Sequence, residues 1–128
     1  MYRTKSDAKH TTLFGSSLGG LISFYGAITY PETFGKAGVF SPSFWFSEKI
    51  YDLVTSTEIP ESSKFYFLVG DEEGENMVPD QERMVELLKS KGVKEKQIEN
   101  HIIKGGKHNE AFWKAHFGNA YQWLSTNN

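Results

Sequence analysis

There is no cysteine among the 128 residues, and that absence alone excludes a disulfide framework, a thiolate zinc site and a cysteine nucleophile. It leaves the redox compartment open, because a chain without cysteine tolerates either. Charge of one sign is also scarce. Fourteen Lys and Arg against sixteen Asp and Glu leave a net charge of −2, so no strong field points toward nucleic acid or an anionic membrane. No stretch approaches the roughly 18 apolar residues of a membrane-spanning helix. The start, Met1 to His10, is polar and charged and lacks the apolar centre of a secretory signal. A natural start at Met1 implies a cytoplasmic protein, and a missing N-terminal half a periplasmic or secreted one; the sequence leaves both open. No metal-ligand spacing and no dinucleotide fingerprint occurs, so no cofactor and no metal are expected.

What the chain does have is material for one core: 38% hydrophobic and 15% aromatic residues. Short apolar runs end at Gly or Ser, and each is followed by a segment of helical spacing. The first run is Thr11 to Phe14, closed by Gly15, after which Leu18, Leu21, Ile22 and Tyr25 fall on one helical face. That helix is expected to stop at Tyr30, because Pro31 disfavours helical geometry in the residue before it. Ala37 to Phe40 is a second run, ending at Ser41-Pro42, with a modest helix over Ser47 to Val54. Lys64 to Val69 is the third, closed by Gly70; an acidic loop then leads to Pro79, a first-turn residue, and a helix that Gly92 terminates. The fourth run, Gln97 to Ile103, ends at Gly105-Gly106, and a last helix begins near Asn109. Strands alternating with helices at this spacing predict an α/β fold with a mostly parallel sheet of about four strands. Chemistry in such sheets gathers on loops beyond the carboxyl ends of the strands.

The first of those loops contains G-x-S-x-G, with Ser17 at its centre. A serine on a sharp strand-to-helix turn is lifted above the sheet, and Gly15 and Gly19 supply the small neighbours such a turn demands. The helix that follows would place the Leu18 N–H beneath a developing oxyanion. A serine hydroxyl needs a base. His10 precedes the first strand, His101 alternates within the fourth and His116 lies inside the last helix, whereas His108 follows Gly105-Gly106 on the edge that carries Ser17. The loop after the third strand offers Asp71, Glu72, Glu73 and Glu75, with Asp80 beyond, and spacing alone does not choose among them as the acid. The order serine, acid, histidine is that of the α/β-hydrolase arrangement. In Ser41–Phe46, the residues Phe44, Trp45 and Phe46 fit equally an aromatic substrate wall and a set of core anchors.

The segment TLFGSSLGGLISFYGAITYPETFGKAGVFSPSFWF, then the aromatic strand ending at Gly70, then GGKHNEAFW, resembles the putative-esterase family of α/β-hydrolases. That family includes esterase D, enterochelin esterases, feruloyl and acetyl-xylan esterases and mycolyltransferases. The resemblance implies ester hydrolysis through an acyl-serine, with Ser17 as nucleophile, His108 as base and the Leu18 N–H in the oxyanion hole. It selects Glu73 as the acid, three positions beyond the glycine that closes the strand, where many members have Asp; Glu72 and Asp71 remain alternatives. Ser41, Phe44 and Trp45 are expected to contact a substrate, a small-molecule or carbohydrate-linked ester.

Family members are considerably longer and carry several strands before the nucleophile strand, so residues 1–128 are expected to form a single partial domain, the C-terminal part of the fold. The Thr11–Phe14 strand would then be an uncovered edge, inviting association with another copy or with a missing half. Two rival readings follow: a non-catalytic fragment or association module with an incomplete oxyanion hole, and a serine peptidase or acyltransferase on the same fold.

Overall fold

The computed structural model describes residues 11–125. Four strands, β1 (Thr12–Ser16), β2 (Lys36–Phe40), β3 (Lys64–Gly70) and β4 (Ile98–Ile103), alternate with four helices, α1 (Leu18–Thr29), α2 (Lys49–Ser56), α3 (Met77–Ser90) and α4 (Glu110–Ser125). All neighbouring strands pair in parallel, in the order β1-β2-β3-β4. The sheet is therefore built from successive crossovers between adjacent strands. Crossovers of constant handedness put their helices on one face, and α1, α2 and α3 do share one core.

The alternation of side chains along the strands divides two cores. Ala37, Val39, Phe65 and Phe67 face Leu21, Phe24 and Ile28 of α1, Tyr51 and Val54 of α2, and Met84 and Leu88 of α3. Phe24 anchors this layer, with ring centroids 5.5 Å from Phe44 and Phe65 and 5.7 Å from Phe67. On the opposite face Phe40, Tyr66 and Leu68 meet Ala120 and Leu124 of α4, with Phe14, Phe112, Trp113 and Trp123 around them. A sheet covered on both sides is the reason β2 and β3 are buried along their whole length.

The element boundaries differ locally from the sequence pattern. Gly15 does not close β1 but lies within it, because the strand runs on to Ser16. Pro79, by contrast, lies in the first turn of α3 as expected, at its third residue, where the N–H groups lack intrahelical partners and proline is tolerated. α1 ends at Thr29, with Tyr30, the residue before Pro31, as its cap.

Among the described residues β1 pairs on one side only. Its flanks carry exposed apolar side chains: Leu18, Ile22 and Tyr25 on α1, and Phe117 and Tyr121 on α4. Among the described residues, no helix is long and apolar enough to cross a membrane, and no cluster of three or more His, Asp or Glu is placed to hold a metal ion.

Candidate active site

The turn between β1 and α1 forces Ser17 into φ 58°, ψ −124°, a conformation that a residue with a Cβ adopts only under constraint. The constraint is visible in its neighbours. The Ser17 N–H donates to the Phe40 carbonyl at 2.9 Å, and the Ser17 carbonyl accepts from Gly20, Leu21 and Ser43 N–H groups. A Cβ on Gly15 would lie 2.1 Å from the Gly19 carbonyl oxygen, so only glycine fits at position 15. Gly19 is different: a Cβ there meets nothing within 4 Å. The second tight position is instead Gly20, whose Cβ would lie 2.9 Å from the Phe40 carbonyl oxygen. The spacing of the motif identified one of the two close approaches and missed the other, because the second depends on where β2 ends.

The loop after β4 crosses the end of β3. Gly70 and Gly106 lie in backbone contact, a Cβ on Gly70 falling 2.2 Å from the Gly106 carbonyl oxygen. The Glu72 N–H donates to that carbonyl at 3.0 Å, and Gly105 turns the chain at φ 78°. This crossing delivers His108 to the turn that carries Ser17. His108 Nε2 is 2.9 Å from Ser17 Oγ, and His108 Nδ1 is 2.8 Å from Glu73 Oε1. An ionised carboxylate only accepts, so Nδ1 carries the ring proton and Nε2 is left to accept from the Ser17 hydroxyl. The imidazole is 38% exposed while the Glu73 side chain is fully enclosed, with a second oxygen that accepts from the Gly70 N–H at 2.6 Å and the Ser41 hydroxyl at 2.7 Å.

The other acids of that loop go elsewhere. Asp71 accepts from the Gly105 N–H at 2.8 Å and so braces the loop that bears His108. Glu72 and Glu75 are exposed, and Asp80 sits inside α3. Of the remaining histidines, His101 stacks on Tyr66 at 4.8 Å and pairs with Glu99, and His116 packs edge-on to Phe112; His10 lies outside the described residues.

Two residues expected to contact a substrate are placed otherwise. Phe44 is 1% exposed, packed on Phe24, Tyr51 and Phe67, and is therefore a core anchor beneath the loop. Ser41 is buried, and its hydroxyl is used between Glu73 and the Trp113 indole N–H, which donates to it at 2.8 Å. Trp45 is 61% exposed, with Phe46 beside it at 6.1 Å. Sequence reasoning did not single out Ser43 or Trp113. The Ser43 hydroxyl lies 3.4 Å from Ser17 Oγ, and Trp113 packs edge-on to the His108 ring at 5.0 Å. Both owe their places to long-range packing, for which single-chain spacing holds no signal.

Comparison with known families joins this geometry to a lineage. A family model described as "Putative esterase" matches residues 1–124. The chain belongs to the putative-esterase family of α/β-hydrolases. Among curated relatives, an uncharacterized Bacillus subtilis protein, YbbA, is 34% identical over 119 residues, covering 88% of this chain and 48% of its own. The iron(III) salmochelin esterase of Escherichia coli is 32% identical over 127 residues, covering 88% of this chain and 30% of its own. The chain thus spans half or less of the length of these relatives. Solved structures repeat the α/β-hydrolase fold. The S-formylglutathione hydrolase FrmB of Staphylococcus aureus superposes with a TM-score of 0.75 at 20% identity, over 98% of this chain and 55% of that one. The enterobactin esterase of Shigella flexneri gives 0.73 at 22%, over 94% and 32%.

Proposed function

We propose that this esterase-family chain carries the nucleophile, base and acid of a serine hydrolase that cleaves carboxylic esters. The observation that supports it most is the continuous hydrogen-bonded line Ser17 Oγ, His108 Nε2, His108 Nδ1, Glu73 Oε1. In this reading Ser17 Oγ attacks the acyl carbon while its proton passes to His108 Nε2. Glu73 orients the ring and stabilises the imidazolium. The tetrahedral oxyanion is met by the Leu18 N–H at the start of α1, one of the helix-start N–H groups without an intrahelical partner. Collapse expels the alcohol with the proton from His108. Water, activated by the same nitrogen, then releases the acid and restores the Ser17 hydroxyl.

The surroundings and the relatives support a substrate class. A cleft of about 640 Å³ is lined by Gly15 and Ser16, by the aromatic rings of Phe14, Phe40, Trp113 and Phe117, and by the charged residues Glu110 and Lys114. That lining suits an aromatic or otherwise apolar ester with polar substituents. A relative named as a salmochelin esterase and a fold neighbour named as a ferulic acid esterase are in keeping with siderophore-linked, sugar-linked or aromatic acyl esters.

A second reading has its own support. β1 is open on one side and flanked by exposed apolar residues, so the described residues fit a non-catalytic association module, or the part of a larger domain whose partner supplies further oxyanion donors. One such donor is worth roughly 2.7–4 kcal/mol of transition-state stabilisation. Fluorophosphonate labelling of the folded chain, followed by intact mass with Ser17→Ala as control, separates the two. One label per chain, lost in the variant, supports the hydrolase reading. A folded sample that takes no label supports the second.

A further inference from the structure

The Glu73 carboxylate faces two ways. Oε1 meets His108, and Oε2 meets the Ser41 hydroxyl at 2.7 Å and the Gly70 N–H at 2.6 Å. Behind Ser41 stands a third donor, the indole N–H of Trp113, 2.8 Å from Ser41 Oγ. The directions are forced by the groups themselves. An indole N–H only donates and an ionised carboxylate only accepts, so the Ser41 hydroxyl must accept from Trp113 and give its single proton to Glu73. A chain of this kind polarises in one direction, each bond strengthening the next in a poorly solvated setting. Ser41 is fully buried and sits at φ 45°, the left-handed region, with its N–H held 2.6 Å from the Leu68 carbonyl. The strain is tolerated because the end of β2 aims the hydroxyl at the carboxylate. Trp113 reaches the same assembly a second time, its ring edge-on to the His108 imidazole at 5.0 Å and 87°.

We infer that Ser41 and Trp113 are positioning residues that lock the Glu73 carboxylate, and through it the tautomer and orientation of His108. The inference rests on the reading of Ser17, His108 and Glu73 as a hydrolytic triad. α4 thereby becomes part of the active-site machinery, although it supplies no group to the reacting atoms. Trp113 contributes at both ends of the Glu73–His108 pair: its N–H holds the Ser41 hydroxyl that donates to the far oxygen of the carboxylate, and its ring limits the tilt of the imidazole.

Ser41→Ala removes the proton donated to Glu73, and Trp113→Phe keeps a ring against His108 while removing the N–H. With the fluorophosphonate labelling rate of Ser17 as readout, Ser41→Ala is expected to lower the rate on the order of tenfold, as loss of one hydrogen bond to a charged group would. Trp113→Phe is expected to lower it severalfold in the parent and not at all in the Ser41→Ala background, because its N–H acts through Ser41. A full additional loss in that background overturns the inference, since Trp113 would then act by packing alone. The second readout is the downfield proton resonance of His108 Nδ1–H, assigned by its absence in His108→Gln, with near-UV circular dichroism confirming a native core. Its shift or loss in Ser41→Ala supports the inference, and an unchanged resonance overturns it. This signal needs no turnover. If the parent itself takes no label, the hydrolase reading fails for the isolated chain, while the resonance still decides whether Ser41 and Trp113 hold the pair.

Discussion

Gly70 and Gly106 touch backbone to backbone, and the contact joins the strand that leads to Glu73 to the loop that carries His108. A Cβ on Gly70 would meet the carbonyl, carbon and Cα of Gly106 at 2.2–2.5 Å, all of them main-chain atoms that cannot rotate away. Gly70→Ala is therefore expected to destabilise the fold by about 1–3 kcal/mol, as overpacking does, and to cut Ser17 labelling by displacing His108. Urea denaturation and the labelling rate check the two halves separately. A variant that keeps both parental values would show that the crossing does not set the site.

Ser17 stores strain. At φ 58° and ψ −124° a glycine is at ease where serine is not. Ser17→Gly is expected to gain about 1 kcal/mol of stability in urea denaturation while abolishing fluorophosphonate labelling. Stability lost together with labelling would mean that the hydroxyl contributes more to the fold, through His108 and Ser43, than the backbone strain costs.

Three neighbouring acids differ in what they touch, and the chemistry is expected to follow. Glu73→Gln keeps the side-chain size but replaces the carboxylate opposite His108 with a neutral amide, and the labelling rate should fall on the order of 100-fold. Asp71→Asn keeps a carbonyl oxygen to accept from the Gly105 N–H and loses only the charge, and Glu72→Gln loses only an exposed charge, so both should label within a few-fold of the parent. A large loss in either of these, with Glu73→Gln unaffected, would move the role of the acid along the loop.

The α/β class and the four strands alternating with helices were legible because each apolar run ends at a Gly or Ser and is followed by helical periodicity; their order in the sheet was not read from the sequence. The turn around Ser17 was legible because G-x-S-x-G encodes a local geometry. The choice among Asp71, Glu72 and Glu73 was not legible in spacing, and Glu73 was selected only through the family resemblance: which acid reaches His108 depends on the Gly70–Gly106 crossing, which brings together residues 36 positions apart. Ser41 and Phe44 were misjudged as substrate contacts for a related reason. The 3₁₀ turn at Phe44–Phe46 rotates Phe44 inward and leaves Trp45 and Phe46 outside, a split that no periodicity over three aromatics in a row can signal.

That split can be measured. Phe44→Ala empties a site packed by Phe24, Tyr51 and Phe67 and should cost about 3–5 kcal/mol. Trp45→Ala removes a larger ring that is 61% exposed and should cost no more than about 0.5 kcal/mol. Equal costs in thermal or urea denaturation would contradict the inward and outward assignment.

Tyr51 gives the fold an alkaline limit. Its hydroxyl donates to the Asp80 carbonyl at 3.2 Å beneath the Arg83 guanidinium. Burial, and then the Asp80 charge, push the phenol up to about 12, with Arg83 acting in the opposite direction. The folded protein thus holds this proton more tightly than the unfolded chain does, so its contribution to stability is intact below about pH 10, the ordinary value for tyrosine. It is lost as pH rises through about 12. Phenolate absorbance should show a late step near pH 12 that Tyr51→Phe removes. The stability of that variant should fall less steeply than the parent's across the same interval. A Tyr51→Phe protein with the parental alkaline profile would place the late proton on another tyrosine; Tyr66, raised by burial and by Glu99, is the group to test next.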